Sequence, residues 1–292
     1  MLGARLVGGL LAAGFLASPP SVAAASADFR GWGYLVRKLV EDGVPRASAE
    51  RAFADSRMPA FDRLDFSLHP GESHAMYRGL LSARSVREAH ACFAEHRHVL
   101  RRVERETGVP GDVVAAILHV ESRCGRYTGD QVVLWRLARL AMAAEPRNLH
   151  RNLVRHELLA GPRATFDVEQ LTRQRGAYLE STFYPEVLAT FQMADRLGID
   201  PLGIRGSIAG AFGLPQFLPS SYLKFGTDGD GDGRVSLYDP DDAVASCARY
   251  LQANGWRPGI DRAQRRRVIW SYNRSTPYID TVLALAERLP SP

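Results

Sequence analysis

The chain has 292 residues, 46% hydrophobic and 24% charged, proportions that exclude a mostly disordered chain, a collagen-like repeat and a disulfide-dense miniprotein. Basic residues outnumber acidic ones, 37 against 32, for a formal net charge of +5, and only Lys38 and Lys224 among them are lysines. Such an excess suits an acidic partner, whether nucleic acid, a membrane surface or another polyanion. Residues 1–27 read as a secretory signal, with Arg5, an apolar run from Leu6 to Ala17 and small residues from Ser21 to Ala27. That run is shorter than the ~20 helical residues that span a bilayer. No stable membrane anchor is therefore expected after cleavage, and export to the periplasm argues against nucleic acid as the partner. In an oxidising compartment Cys92, Cys124 and Cys247 form one disulfide at most, and Cys92 with Cys124 is the preferred pair.

From Phe29 to about Arg105 apolar residues recur at helical spacing, as in Trp32, Leu35, Val36, Leu39 and Val40, with a break around Met58 to Pro70. A second run, Ser85 to Thr107, is rich in Arg and Glu and reads as a helix with a solvated face. Short alternating pieces such as Arg234 to Tyr238 pair as minor strands at most. The expected organisation after residue 27 is one region, 28–292, with a helical N-terminal part over about 28–105 and a core over about 106–292. A small inserted lobe is expected near 136–175.

Gly108-Val109-Pro110 opens a nearly all-apolar helix that ends at Glu121. Ile117, Leu118, Cys124 and Gly125 occupy the positions three and four residues from Glu121, so no local cation neutralises it. An apolar stripe and the negative end of the helix dipole both favour its protonated form, the state a general acid needs. The alternative is a glutamate that caps a neighbouring turn or pairs with Arg123 or Arg126.

The segment Gly206 to Tyr222 places Ser207 and Gln216 as isolated polar groups among three glycines and apolar residues, suited to a cleft lining or a tight packing corner. Next, Asp228-Gly229-Asp230-Gly231-Asp232-Gly233-Arg234-Val235 matches the EF-hand calcium loop through its early positions. Asp239 stands where the bidentate Glu belongs, so Asp242 is the expected final ligand, and a solvated acidic turn is the alternative. Finally, Tyr272, Asn273 and Tyr278 cluster at a helix start, where aromatic faces and amides suit sugar recognition or ordinary turn chemistry.

Taken in order, the Gly-Val-Pro to Glu-Ser segment, Gly206 to Tyr222, Asp230 to Pro240 and Tyr272-Asn273 resemble the membrane-bound and soluble B-type lytic murein transglycosylases, over about Phe93 to Leu289. The resemblance implies a mainly α fold, with a lysozyme-like helical core, a small additional lobe and an EF-hand-like calcium loop. It implies cleavage of peptidoglycan between N-acetylmuramic acid and N-acetylglucosamine, leaving 1,6-anhydromuramoyl ends, and the enzyme is expected to be a monomer. Residue by residue, it implies Glu121 as the single acid and then base. Ser207, Gln216, Tyr250, Tyr272, Asn273 and Tyr278 would line the sugar cleft, and Asp228, Asp230, Asp232, the Arg234 carbonyl and Asp242 would bind structural Ca2+. Cys124 and Tyr127 depart from the family pattern. The competing expectations are a goose-lysozyme-type hydrolase and a non-catalytic peptidoglycan-binding or calcium-responsive scaffold.

Overall fold

The computed structural model describes residues 28–69, 71–161 and 165–290; the expected signal segment, 1–27, lies outside the described residues. The chain runs through α1 (Gly33–Glu41), α2 (Arg46–Ala54), α3 (His74–Tyr77), α4 (Ala83–Glu95), α5 (Arg97–Thr107) and α6 (Gly111–Ser122). It continues through β1 (Gln131–Val132), α7 (Val133–Ala141), α8 (Pro146–Ala160), α9 (Val168–Leu197) and β2 (Arg205–Gly206). Last come α10 (Pro219–Phe225), α11 (Pro240–Ala253), α12 (Arg262–Tyr272) and α13 (Thr276–Ala286).

Two apolar cores result. One surrounds α6, which is covered on nearly every side by residues of α4, α5, α11 and α13, as its almost unbroken apolar sequence requires. The other joins α1 and α2 to α7, α9 and α10, with Trp32 fully buried against Phe53 and Phe61 at centroid distances of 5.4 and 5.2 Å. Tyr250 and Tyr272 pack against both cores, so the boundary between them is lined by aromatic residues.

The structure differs from the sequence reading in two places. The expected helix over Ser85–Thr107 is two helices, because His96 takes φ −101° and ψ 17° and turns the chain. The break lets Cys92 and Phe93 of α4 and Val99, Leu100 and Val103 of α5 bury together on the α6 core. Among the described residues the paired strands are β1 and β2, antiparallel with Gln131 opposite Gly206, and Arg234–Tyr238 is not a strand. Side chains take the amides a strand partner would need: Asp232 Oδ1 accepts from Arg234 N at 2.8 Å and Asp242 Oδ2 from Ser236 N at 2.6 Å.

Residues 136–175 fall in α7, α8 and the start of α9. Their buried polar side chains clamp the extended segment before α3. Asn148 Oδ1 accepts from Leu64 N at 2.7 Å, Asn152 Oδ1 from Phe66 N at 3.2 Å, and the His156 ring meets Phe66 O at 2.9 Å.

Candidate active site

Glu121 ends α6 at the boundary of the two cores, and only part of its surface reaches solvent. Arg123 follows with φ 53°, a left-handed cap that closes the helix immediately behind it. The hydroxyl of Tyr278, in the first turn of α13, donates to Glu121 Oε1 at 2.6 Å. Tyr278 is itself 1% exposed, which fixes the geometry of that bond. The sequence-based alternative pairing does not occur: Arg123 and Arg126 turn to Glu88, at 3.5 and 3.7 Å.

Burial pushes the Glu121 carboxyl up to about 7, against the downward pull of the Tyr278 hydrogen bond and with a further upward push from the charge of Glu72. The same burial holds the Tyr278 and Tyr272 phenols well above their ordinary range, so both remain hydroxyl donors.

The aromatic wall continues from Tyr278 to Tyr272, stacked at 6.4 Å with an interplanar angle of 10°, and from Tyr272 to Tyr250 at 4.9 Å. Two backbone anchors hold it. Tyr272 donates to Pro215 O and Tyr250 to Ser271 O, both at 2.5 Å.

The 206–217 loop packs against this aromatic row, and the helix bearing Glu121 ties it down: Ser122 Oγ donates to Leu214 O at 2.7 Å. Gln216 Nε2 donates to Thr128 O at 3.1 Å and Gly213 O at 2.9 Å, joining the loop to the segment after Glu121. Two glycines are required here. At Gly129, φ 88°, a Cβ would lie 2.1 Å from Gly206 O, and at Gly213, φ 73°, it would lie 2.4 Å from Leu237 Cβ.

The structure therefore brings Glu121, Tyr278, Tyr272 and Tyr250 into one contact chain, with Gln216 on the adjoining loop. Ser207 sits half-buried in the turn closed by its own carbonyl and Gly210 N at 3.0 Å. The Asn273 carbonyl accepts from Ser275 N at 2.8 Å between α12 and α13. Among the described residues neither is joined to Glu121 by a hydrogen bond.

Sequence reading missed Tyr77 and Glu72. Tyr77 lies edge-on to Tyr278 at 6.1 Å and 82°, and its hydroxyl donates to Glu72 Oε2 at 2.5 Å. Both lie in a short exposed stretch with no apolar periodicity. A lone tyrosine in a four-residue helix carries no signal that the fold will lay it against residue 278.

A second acidic group lies in the 228–242 loop. Carboxylate oxygens of Asp228, Asp230 and Asp242 lie within 4.8 Å of one another, and Asp242 is 3% exposed. Its two oxygens accept from Gly229 N and Ser236 N, each at 2.6 Å. Asp239 instead caps α11 by accepting from Asp241 N at 2.8 Å, which explains why Asp242 takes the converging position. Asp232 is outside this group of three, its carboxylate accepting from the Arg234 amide. Three converging carboxylates form a hard oxygen donor set, which fits a divalent cation of the calcium kind.

A disulfide joins Cys92 to Cys124, the pair preferred from sequence, with a Cα–Cα distance of 6.3 Å; Cys247 is buried and free. The Cys92–Cys124 bridge holds the turn after Glu121 against α4.

The profile of a family described as the transglycosylase SLT domain matches residues 30–266. The chain is 34% identical over 165 residues to the membrane-bound lytic murein transglycosylase B of Escherichia coli K12, covering 56% of this chain and 37% of that protein's length. The Escherichia coli lytic transglycosylase SLT35 in complex with bulgecin A aligns with a TM-score of 0.66 at 22% identity, over 88% of this chain and 91% of that one. SLT35 in complex with calcium aligns with a TM-score of 0.64 at 23% identity, over 88% and 91%. The mainly helical fold is thus the one that the sequence resemblance implied.

Proposed function

The chain belongs to the transglycosylase SLT domain family, and on that premise we propose that it cleaves the β-1,4 bond between N-acetylmuramic acid and N-acetylglucosamine in peptidoglycan. The observation that carries this reading is the state of Glu121: a carboxyl pushed up to about 7 by burial, with a tyrosine hydroxyl and, among the described residues, no cation as its partner. Tyr278 occupies Oε1, which leaves Oε2 to carry the proton toward the glycosidic oxygen. The C–O bond breaks as that proton transfers. Glu121, now a carboxylate, takes the proton of the muramoyl C6 hydroxyl, and its oxygen closes on the anomeric carbon to form the 1,6-anhydro end. No water is consumed.

Ser207, Gln216, Tyr250, Tyr272, Asn273 and Tyr278 are the proposed sugar-binding groups. Tyr77 joins them through its contact with Tyr278. Asp228, Asp230 and Asp242 would hold a calcium ion, with Asp232 and the Arg234 carbonyl as the remaining expected ligands, and the ion would fix the loop that packs against the 206–217 wall. The disulfide supports an oxidising compartment, in line with periplasmic action.

Glu72 favours a second reading. Its charge reaches Glu121, so a muramidase of the goose-lysozyme type would use it as the base for water. Tyr77 donates to one Glu72 oxygen, as Tyr278 does to Glu121, so this contact favours neither reading and the products decide between them. Digestion of murein sacculi followed by mass spectrometry separates the possibilities. Anhydromuramoyl ends are expected; reducing muramic acid would indicate the hydrolase, and no fragments would indicate a non-catalytic scaffold. Glu121→Gln is expected to lower turnover at least about 1,000-fold, and persistent digestion by that variant would overturn the assignment of Glu121.

A further inference from the structure

A cavity of about 250 Å³ is lined by Ser85 and Glu88 of α4 and by Arg84, Arg123, Arg126 and Tyr127. It adjoins the cleft along the chain at two points. Gly79 on its wall follows the cleft's Tyr77 by two residues, and Arg123 follows Glu121 by two. Two residues span at most ~7 Å.

Its charge is unbalanced. Glu88 serves three guanidiniums, those of Arg84 at 3.1 Å, Arg123 at 3.5 Å and Arg126 at 3.7 Å. His119, which is 1% exposed behind them, adds no charge: burial and the neighbouring Arg123 bring it down to about 4. Three cations around one carboxylate leave capacity for a further anion.

The site is also braced. Arg123 donates to Ser85 Oγ, and that hydroxyl meets His119 Nε2 at 2.8 Å inside the core. Arg123 and Cys124 both hold left-handed backbone, φ 53° and 56°, a conformation that non-glycine residues keep only where the surroundings enforce it. The Cys92–Cys124 bridge is one such enforcement. Arg123, 29% exposed, is the arginine held in advance, while Arg84 and Arg126, 82% and 58% exposed, stand at the open rim; guanidinium forks match carboxylates in two-point contacts that the point charge of lysine does not reproduce.

We propose that this cavity binds a carboxylate of the peptide stem carried by the muramoyl residue, so that the enzyme selects stem-bearing strands through Arg84, Arg123 and Arg126. The proposal deepens the transglycosylase reading and rests on it for the identity of the strand.

The test is equilibrium binding to the full chain carrying Glu121→Gln, which reads affinity without turnover. The probes are a murein disaccharide-tetrapeptide and the same compound with its stem carboxylates methyl-esterified. The free acid is expected to bind roughly tenfold more tightly than the ester, as charge-assisted hydrogen bonds would give. Adding Arg84→Gln and Arg126→Gln should abolish that preference while leaving the ester's affinity unchanged, and Arg126→Gln alone should reduce it. Equal binding of acid and ester, or a preference that survives both substitutions, would overturn the proposal. So would displacement by sodium acetate as effective as by the free stem peptide, since the cavity would then be a general carboxylate trap. Failure of the wild-type chain to release anhydro ends would instead count against the reaction, while the acid-to-ester ratio is read independently of it.

Discussion

Glu121 and Asp242 are both poorly solvated carboxylic acids at the edge of the same core, and their surroundings treat them in opposite ways. Asp242 lies at the start of α11, where two backbone amides point at its oxygens at 2.6 Å each. Glu121 lies at the end of its helix, where the backbone offers carbonyls, and receives one hydroxyl at 2.6 Å. Dense amide donation orients both Asp242 oxygens within the acidic loop. Sparse donation among apolar and aromatic groups favours a carboxyl that gives and takes a proton near neutrality. The donors to Asp242 are amides of the preceding loop, Gly229 and Ser236, whereas Glu121 at its helix C-terminus meets a single side-chain hydroxyl, and that difference in donors separates the two roles.

The largest effect that would break this contrast is in the pH dependence of cleavage. If protonated Glu121 is the acid, kcat/KM should fall about tenfold per pH unit above the value near 7. A flat profile up to pH 9 would remove Glu121 from that role.

Next comes stability, where amide substitutions at the two sites should have opposite signs. The folded Glu121 carboxyl titrates at about 7 against an ordinary 4.5, so the fold binds that proton more tightly than the unfolded chain. Wild-type stability should then decline as pH rises from about 4.5 through 7. Glu121→Gln escapes this decline and should be more stable by ~2–3 kcal/mol at pH 8, with the gain gone below about pH 4.5. Asp242→Asn should instead destabilise by ~1–3 kcal/mol, because an amide nitrogen cannot accept from Gly229 or Ser236. Denaturant unfolding of both variants at pH 4 and 8 checks the pair.

Calcium sharpens the contrast on one side only. Saturating calcium should raise the unfolding midpoint of the wild type by several degrees, corresponding to ~2–3 kcal/mol at a hundredfold excess over Kd. The rise should persist in Glu121→Gln and vanish in Asp242→Asn; identical midpoints with chelator and calcium would count against an occupied loop. The smallest expected effect is that of Tyr278→Phe, which removes the bond pulling the Glu121 carboxyl down and should move the falling limb of the rate profile to higher pH.

The α6 helix was legible because its signals are local: Pro110 at the start, a nearly unbroken apolar run, and no cation three or four residues from Glu121. The alternating carboxylates of the acidic loop were legible for the same reason. Tyr278 was legible as a candidate, but its role as the partner of Glu121 depends on residues 157 positions apart meeting. Tyr77 and Glu72 were not legible at all, since an exposed four-residue helix has no periodicity to read. Nor was the use of Asn148, Asn152 and His156 as clamps, because a polar residue on a helix looks solvated until the chain that covers it is in place. The strand expectation at 234–238 failed because carboxylates, which alternation does not register, compete for the amides.

By itself the sequence determined which segments become helices, where Glu121 lies on one of them, and which oxygens are available to a cation, since all of these follow from short-range geometry and composition. Tertiary structure decided which carboxyl loses its water, which arginines turn away from Glu121 toward Glu88, and which tyrosine donates to it. Those outcomes depend on burial and on hydrogen bonds between distant segments, and it is they that set the proton affinity on which the proposed chemistry rests.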